Sequence, residues 1–251
     1  MNKLELKKKM VELNFRLKCW LELFFLFILI SSLKSHAQLN KKEPIIGNWT
    51  MFTSQVKMNE KFGIHLEAQF RDYKLLNQPE QILLRTGIIY YVNSASNFTL
   101  GYASIHNYAF DDAIFEKPQV NESRMWEQLV LKQNIGRCHL EHRYRIEQRW
   151  IQTKTDQFYR DRLRYLLRLN IPLNKKTMES GALFLSFYDE LFVNMTTNPF
   201  DRNRLYGGFG YQFSKRLNAQ MGYLAQTVGV ISKSYFQIGV NGTFDLRSHK
   251  E

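Results

Sequence analysis

The 251-residue sequence predicts an all-β fold: an antiparallel up-and-down transmembrane β-barrel of 10 to 12 strands with a charged lumen. Three observations carry that expectation. Within Arg137–Trp150, alternate residues place Arg137, His139, Glu141, Arg143, Arg145, Glu147 and Arg149 on one side, and Cys138, Leu140, His142, Tyr144, Ile146, Gln148 and Trp150 on the other. Successive strand side chains point to opposite faces, so this is a strand with one charged wall and one mostly apolar wall; helical spacing would scatter the charges. About eleven such segments follow one another, several of about 12 to 16 residues, where soluble strands usually run about 5 or 6 and a tilted membrane strand needs about 9 to 11. Finally, the chain starts with the three parts of an export signal.

That signal occupies residues 1–37: a basic start with Lys7, Lys8 and Lys9, the apolar run Leu23–Ile30, and Ser35-His36-Ala37 as a small-x-small cleavage site before Gln38. The apolar run falls well short of the roughly 20 residues of a spanning helix. The whole chain carries 35 Lys+Arg against 23 Asp+Glu, +12. Removing the signal takes away seven basic and three acidic residues and leaves +8. Cys138 then stands alone, so no intramolecular disulfide is expected in an oxidising compartment.

After a short segment, 38–46, a single barrel domain is expected over 47–246, with 247–251 as a tail. Asn48–Lys57 reads as a strand and Met58–Lys61 as a turn. The return strand sets Phe62, Ile64, Leu66, Ala68 and Phe70 against Gly63, His65, Glu67, Gln69 and Arg71. A loop is expected around Asn77-Gln78-Pro79, because proline punctuates strands. Gln81–Val92 alternates more weakly, with Arg85 among Leu83, Gly87 and Ile89; Phe98–Tyr108 follows, then a longer connection through Asp111, Asp112 and Pro118. Glu122–Asn134 carries Glu122, Arg124 and Gln128 on one face, with Glu127 out of pattern, and Ile135-Gly136 turns the chain. Asp156–Ile171 repeats the charged-wall pattern with Arg160, Arg162, Arg164 and Arg168. Four more segments close the chain: Gly181–Asn194 with Glu190, Asp201–Phe213 with Arg202 and Arg204, Asn218–Val230, and Ser234–Leu246.

Arginine at the bilayer midplane costs roughly 2 to 4 kcal/mol on the lipid face, so in a membrane barrel the charged wall must be the lumen. The apolar face then carries an interfacial girdle, for which Trp150, Tyr90, Tyr211, Phe213, Tyr235 and Phe244 are the candidates. Bacterial single-chain barrels have even strand numbers, so the eleven segments are expected to resolve as ten or twelve. With the last strand ending in the periplasm, the connections near Asn77, Asp111 and Met195 fall outside. That phase asks for one more strand before Asn48, which Leu39–Ile46 does not obviously supply.

The run Glu122-Ser-Arg-Met-Trp-Glu-Gln128, with Arg143-Tyr-Arg-Ile-Glu-Gln-Arg149 and Arg162-Leu-Arg-Tyr165, resembles the exported family catalogued as domain of unknown function 2490. Gly47-Asn-Trp49, Gln81-Ile-Leu-Leu-Arg85, Asp189-Glu190 and Arg204-Leu-Tyr-Gly-Gly-Phe-Gly-Tyr211 are similar to it as well. The resemblance covers essentially the whole mature chain. It implies a β-barrel in the outer membrane of a Gram-negative bacterium and supplies no catalytic residues.

Three readings of the charged wall compete. In the first, the lumen is filled by hydrogen-bonded pairs among Glu122, Arg124, Arg137, Glu141, Arg143, Arg145, Glu147, Arg149, Arg160, Arg162, Arg164, Arg168, Glu190, Arg202 and Arg204, since guanidinium forks suit carboxylates and narrow barrels are filled by side chains. In the second, the arginine excess makes a narrow anion-preferring pore or binding barrel. The third, a lipid hydrolase, needs a nucleophile, a base and an orienting group in reach. His106 and His142 are expected on the apolar side, His139 has no serine nearby in its strand, and His139, Glu141 and His142 do not converge on one point. The expectation is therefore a non-enzyme without cofactor or metal, monomeric, contacting outer-membrane lipid, with small anionic solutes as partners and no nucleic-acid motif. The remaining alternative is a soluble periplasmic β-sandwich.

Overall fold

The computed structural model describes residues 46–110, 119–196, 198–229 and 231–247; the expected export signal, the connection through Asp111, Asp112 and Pro118, and the last four residues lie outside these. Eleven strands form: β1 (Ile46–Lys57), β2 (Phe62–Lys74), β3 (Asn77–Tyr91), β4 (Ser96–Asn107), β5 (Val120–Ile135), β6 (Cys138–Gln152), β7 (Gln157–Pro172), β8 (Leu183–Asn194), β9 (Phe200–Ser214), β10 (Leu217–Val228) and β11 (Ile231–Asp245). Each pairs antiparallel with the next, and β1 pairs with β11 to close the barrel. A closed cylinder rules out the two stacked sheets of a sandwich.

The expectation of an even strand number is corrected. With an odd number of alternating strands the first and last run the same way, so the closing pair is parallel, in register from Ile46↔Ser234 to Lys57↔Asp245. A parallel ladder satisfies every backbone group, with evenly spaced, slanted bonds. No further strand is required ahead of β1. The turn expected at Met58–Lys61 joins β1 to β2, and the turn at Gly136, which takes φ +58°, joins β5 to β6. The loop expected around Asn77-Gln78-Pro79 is instead the start of β3. Pro79 pairs with Asp72 where the register shifts between Arg71 and Asp72, an irregularity that tolerates a residue without an N–H.

Alternation divides the strands into two faces. On the outer face every strand exposes large apolar side chains: Leu66 on β2, Leu84 and Ile88 on β3, Tyr144 and Trp150 on β6, Phe209 and Phe213 on β9, among others. Of the girdle candidates, Trp150, Tyr90, Tyr211, Phe213 and Phe244 are exposed there. Tyr235 is corrected: it shares the inward parity of Gln237 and is fully buried, with its hydroxyl 2.9 Å from Glu80. Inside, two apolar clusters flank the charges. One contains Trp49, Leu166, Tyr188, Tyr206, Leu224 and Tyr235, the other Leu83, Ala103, Ile105 and Trp126. Two inward glycines make room for rings: a Cβ at Gly101 would lie 2.5 Å from Trp126, and one at Gly210 would overlap the Phe184 ring.

Candidate functional site

The inward positions of β2, β3 and β5–β9 meet at mid-barrel around Glu147, which has no exposed surface. The β6–β7 register sets Glu147 beside Arg162 and Arg145 beside Arg164. Glu147 Oε2 accepts from Arg162 Nη2 at 2.5 Å, and its Oε1 accepts from Arg164 Nη1 at 2.5 Å. The guanidinium groups of Arg124, Arg145 and Arg85 stand at 3.7, 3.8 and 3.9 Å. One carboxylate thus gathers five arginines from four strands.

Four further carboxylates extend the network. Glu190 accepts from Arg164 at 2.6 Å, Arg143 at 2.7 Å and Arg204 at 3.4 Å. Glu122 takes paired bonds from Arg124 (2.5 and 3.0 Å) and Arg149 (2.5 and 3.1 Å), the fork-to-carboxylate geometry that makes arginine rather than lysine the suitable cation. Glu67 binds Arg85 Nη1 at 2.9 and 3.0 Å and His65 at 3.1 Å. Asp201 receives Arg162 Nη1 at 2.6 Å and Arg202 Nε at 3.1 Å. Nearer the rim, Arg168 and Glu141 form a half-buried pair at 3.5 Å.

Most of the residues expected in the lumen are therefore brought together. Two are not. Arg137 lies in the turn after β5 and donates to the carbonyls of Pro172, Leu173 and Lys175, because its strand starts one residue later. Arg160 sits at the barrel end, donating to the Tyr159 carbonyl and lying 5.1 Å from the Phe158 ring, with no carboxylate within ion-pair distance among the described residues. His65, Glu67, Arg71, Arg85 and Asp201 belong to the network although the expected set omitted them. Glu127, out of pattern in the sequence, faces outward and accepts from Gln148 at 3.2 Å. His142, also outward, lies 2.9 Å from the Tyr165 hydroxyl.

Charge does not balance inside. Arg71, Arg85, Arg124, Arg143, Arg145, Arg149, Arg162, Arg164, Arg202 and Arg204 are ten cations against Glu67, Glu122, Glu147, Glu190 and Asp201, an excess of five. Aromatic faces absorb part of the cost. The Phe192 ring has four guanidinium groups within 5.7 Å, and Arg71 lies 3.4 Å over Trp49. Arg71 has no carboxylate within ion-pair distance among the described residues, and the Nε atoms of Arg71 and Arg85 lack acceptors.

Gln69, Arg85, Arg164 and Arg204 separate two spaces. Toward the β1–β2 turn lies a polar cavity of about 280 Å³, bounded by residues such as Gln55, Lys132, Asn218 and Asn241. On the other side a void of about 20 Å³ is walled by Gln69, Gln81, Leu83 and seven arginines: Arg71, Arg85, Arg124, Arg162, Arg164, Arg202 and Arg204. A void that size has room for one water-sized body. The arrangement can hold a small anion.

A family model described as "Protein of unknown function (DUF2490)" matches residues 46–237. An uncharacterized protein of Methylorubrum extorquens (strain AM1) is 30% identical over 170 residues, which is 64% of this chain and 69% of the relative. No solved structure matches significantly.

Proposed function

This chain belongs to the DUF2490 family, and on the distribution of its side chains we propose that it is an outer-membrane β-barrel whose lumen is closed by an Arg/Glu network. The observation that carries this reading is the inverted polarity of the molecule. All eleven strands expose large apolar residues outward while Arg145, Glu147 and Arg162 are at most 2% exposed inside. Contiguous apolar surface on this scale is not left facing water by soluble proteins. Strands of 12 to 16 residues span the hydrocarbon thickness with a tilt. The N-terminal basic start, apolar run and small-x-small site support export. Fractionation of cells tests it: the protein should sediment with the outer membrane, need detergent for extraction, and migrate faster on gels before boiling than after. Release into the soluble fraction without detergent would overturn the proposal.

A second reading, an anion-binding barrel, is favoured by the void walled by seven arginines. In detergent, replacing gluconate by chloride at constant ionic strength should raise the unfolding midpoint in a saturable way, as binding to the folded state alone requires. Arg71→Gln should remove that dependence. An identical midpoint in the two salts would exclude it.

A further inference from the structure

We propose that Ser104, His106 and Asn121 form a serine-hydrolase triad on the outer face of the barrel, acting on the acyl esters of glycerophospholipids. The proposal rests on the outer face meeting lipid. By alternation alone His106 falls on the apolar side, away from the charged wall; the structure gives it a partner on each ring nitrogen. Ser104 and His106 are two apart on β4 and so share the outward face, and the β4–β5 register sets Asn121 directly opposite His106. Ser104 Oγ lies 3.3 Å from His106 Nε2, and His106 Nδ1 lies 2.7 Å from Asn121 Oδ1. An amide oxygen can only accept, so in the neutral ring Nδ1 carries the proton and Nε2 keeps the lone pair that faces the serine hydroxyl. That tautomer is the one a general base needs, and it is held by an orienting group on the neighbouring strand.

Two features around the triad point to an acyl substrate. Ser104 lines an outward groove of about 610 Å³ whose wall is almost wholly apolar, formed by Phe52, Leu66, Ala68, Leu84 and Tyr102. Leu84 is the cross-strand partner of Ser104, so an acyl chain lying in the groove brings its ester to the hydroxyl. On the other side Ser104 pairs with Ser123, which pairs with Trp150, which pairs with Tyr159; the last two rings are 5.5 Å apart. Exposed Trp and Tyr of this kind settle at the membrane–water interface, the depth of phospholipid ester groups. Ser123 Oγ accepts from the Tyr102 hydroxyl at 2.8 Å, which leaves its own hydrogen to donate to the carbonyl oxygen as that oxygen becomes negative.

The step balances with water alone. Ser104 Oγ attacks the ester carbonyl carbon and passes its proton to His106 Nε2. The tetrahedral species collapses, the lysophospholipid alkoxide leaves with that proton, and the acyl group stays on Ser104. His106 then deprotonates a water, which attacks the acyl-serine; the free fatty acid leaves and the proton returns to Ser104.

The full chain refolded in detergent, with folding verified by heat-dependent gel mobility, is exposed to a fluorophosphonate probe and then supplied with dioleoylphosphatidylcholine in mixed micelles. Expected results are a covalent adduct mapped to Ser104, release of fatty acid, and loss of both in Ser104→Ala. His106→Gln should lower kcat by about 10²- to 10⁴-fold. Asn121 is a positioning residue: Asn121→Ala should lower kcat with KM retained, and Asn121→Asp should restore part of the rate with a shifted pH profile. No adduct on the folded wild type, or a Ser104→Ala variant with undiminished hydrolysis, would overturn the triad. These readouts are taken in detergent and do not depend on where the protein resides in the cell, so failure here and failure of fractionation are separate results.

Discussion

Replacing Glu147 by Gln tests whether the lumen network holds the barrel together. The change keeps the shape of the side chain and one acceptor oxygen, and it removes the charge that faces Arg85, Arg124, Arg145, Arg162 and Arg164. The cation excess then grows by one at a position with no exposed surface. Removing one partner of a buried pair costs about 3 to 5 kcal/mol, and the surviving acceptor puts this case at the lower end, about 3 kcal/mol. With a urea slope of about 3 kcal/mol per molar for a chain of this size, the unfolding midpoint should fall by about 1 M. Tryptophan fluorescence in detergent reads the transition, since Trp126 packs beside Arg145 at 4.8 Å. Glu141→Gln is the control. Its single half-buried pair with Arg168 at 3.5 Å should be worth under about 1 kcal/mol. Equal midpoints for the two variants would refute the hub, and a midpoint for Glu147→Gln above wild type would show that the carboxylate is merely tolerated.

Two other substitutions probe the two faces. Leu100, 53% exposed near the middle of β4, should cost about 2 to 4 kcal/mol on conversion to Arg in a lipid bilayer; in an aqueous surface the same change stays within about 0.5 kcal/mol, so refolding into vesicles discriminates the environments. Gly210→Ala drives a methyl group against the Phe184 ring and should destabilise by about 1 to 3 kcal/mol; Phe184→Leu in the same chain should recover part of that loss, and strict additivity would dismiss the contact.

The parts of the fold set by local alternation were legible in the sequence. β6 and β7 state their two faces outright, since nearly every second residue is charged, and their partners Glu122, Glu190 and Arg204 follow from the same rule. β2 and β3 were harder to read: the inward face of β3 mixes Arg85 with Leu83 and Ile89, because this stretch packs Trp126 as well as Glu67. What depends on closure was not legible. The parity of the barrel is fixed by how β1 meets β11, a contact about 190 residues apart in sequence, and no local pattern encodes it. Tyr235 is a different case: a tyrosine near a strand end suits an interfacial girdle, but alternation puts it on the face of Gln237, opposite Phe236, and its hydroxyl reaches Glu80 inside. The Ser104–His106–Asn121 cluster left one readable trace, a serine two residues from a histidine on a strand; the third member needed the β4–β5 register.

The lumen is lopsided, and the lopsidedness bears on how the barrel chooses its register. Arginines and their carboxylates come from β2, β3 and β5–β9, whereas the inward side of the closing seam presents neutral amides, Gln55 on β1, Asn218 and Gln220 on β10, Gln237 and Asn241 on β11. The larger cavity lies against this amide wall. Long guanidinium side chains from the opposite wall reach across the bore: Arg204 from β9 lies 4.6 Å from the Trp49 ring on β1, and Arg85 on β3 reaches Glu147 on β6. A slip of one residue in any charged strand would turn its arginines outward and leave buried carboxylates unpaired, an outcome costing several kcal/mol per group. The seam carries little such penalty of its own. Its register is held instead by the edge-on contact of Trp49 and Tyr235 at 5.6 Å and by the clamp of Glu80 on Lys233 and Tyr235. The charged strands thus fix one another's register, and the first and last strands meet in an alignment that lets Tyr235 reach Glu80.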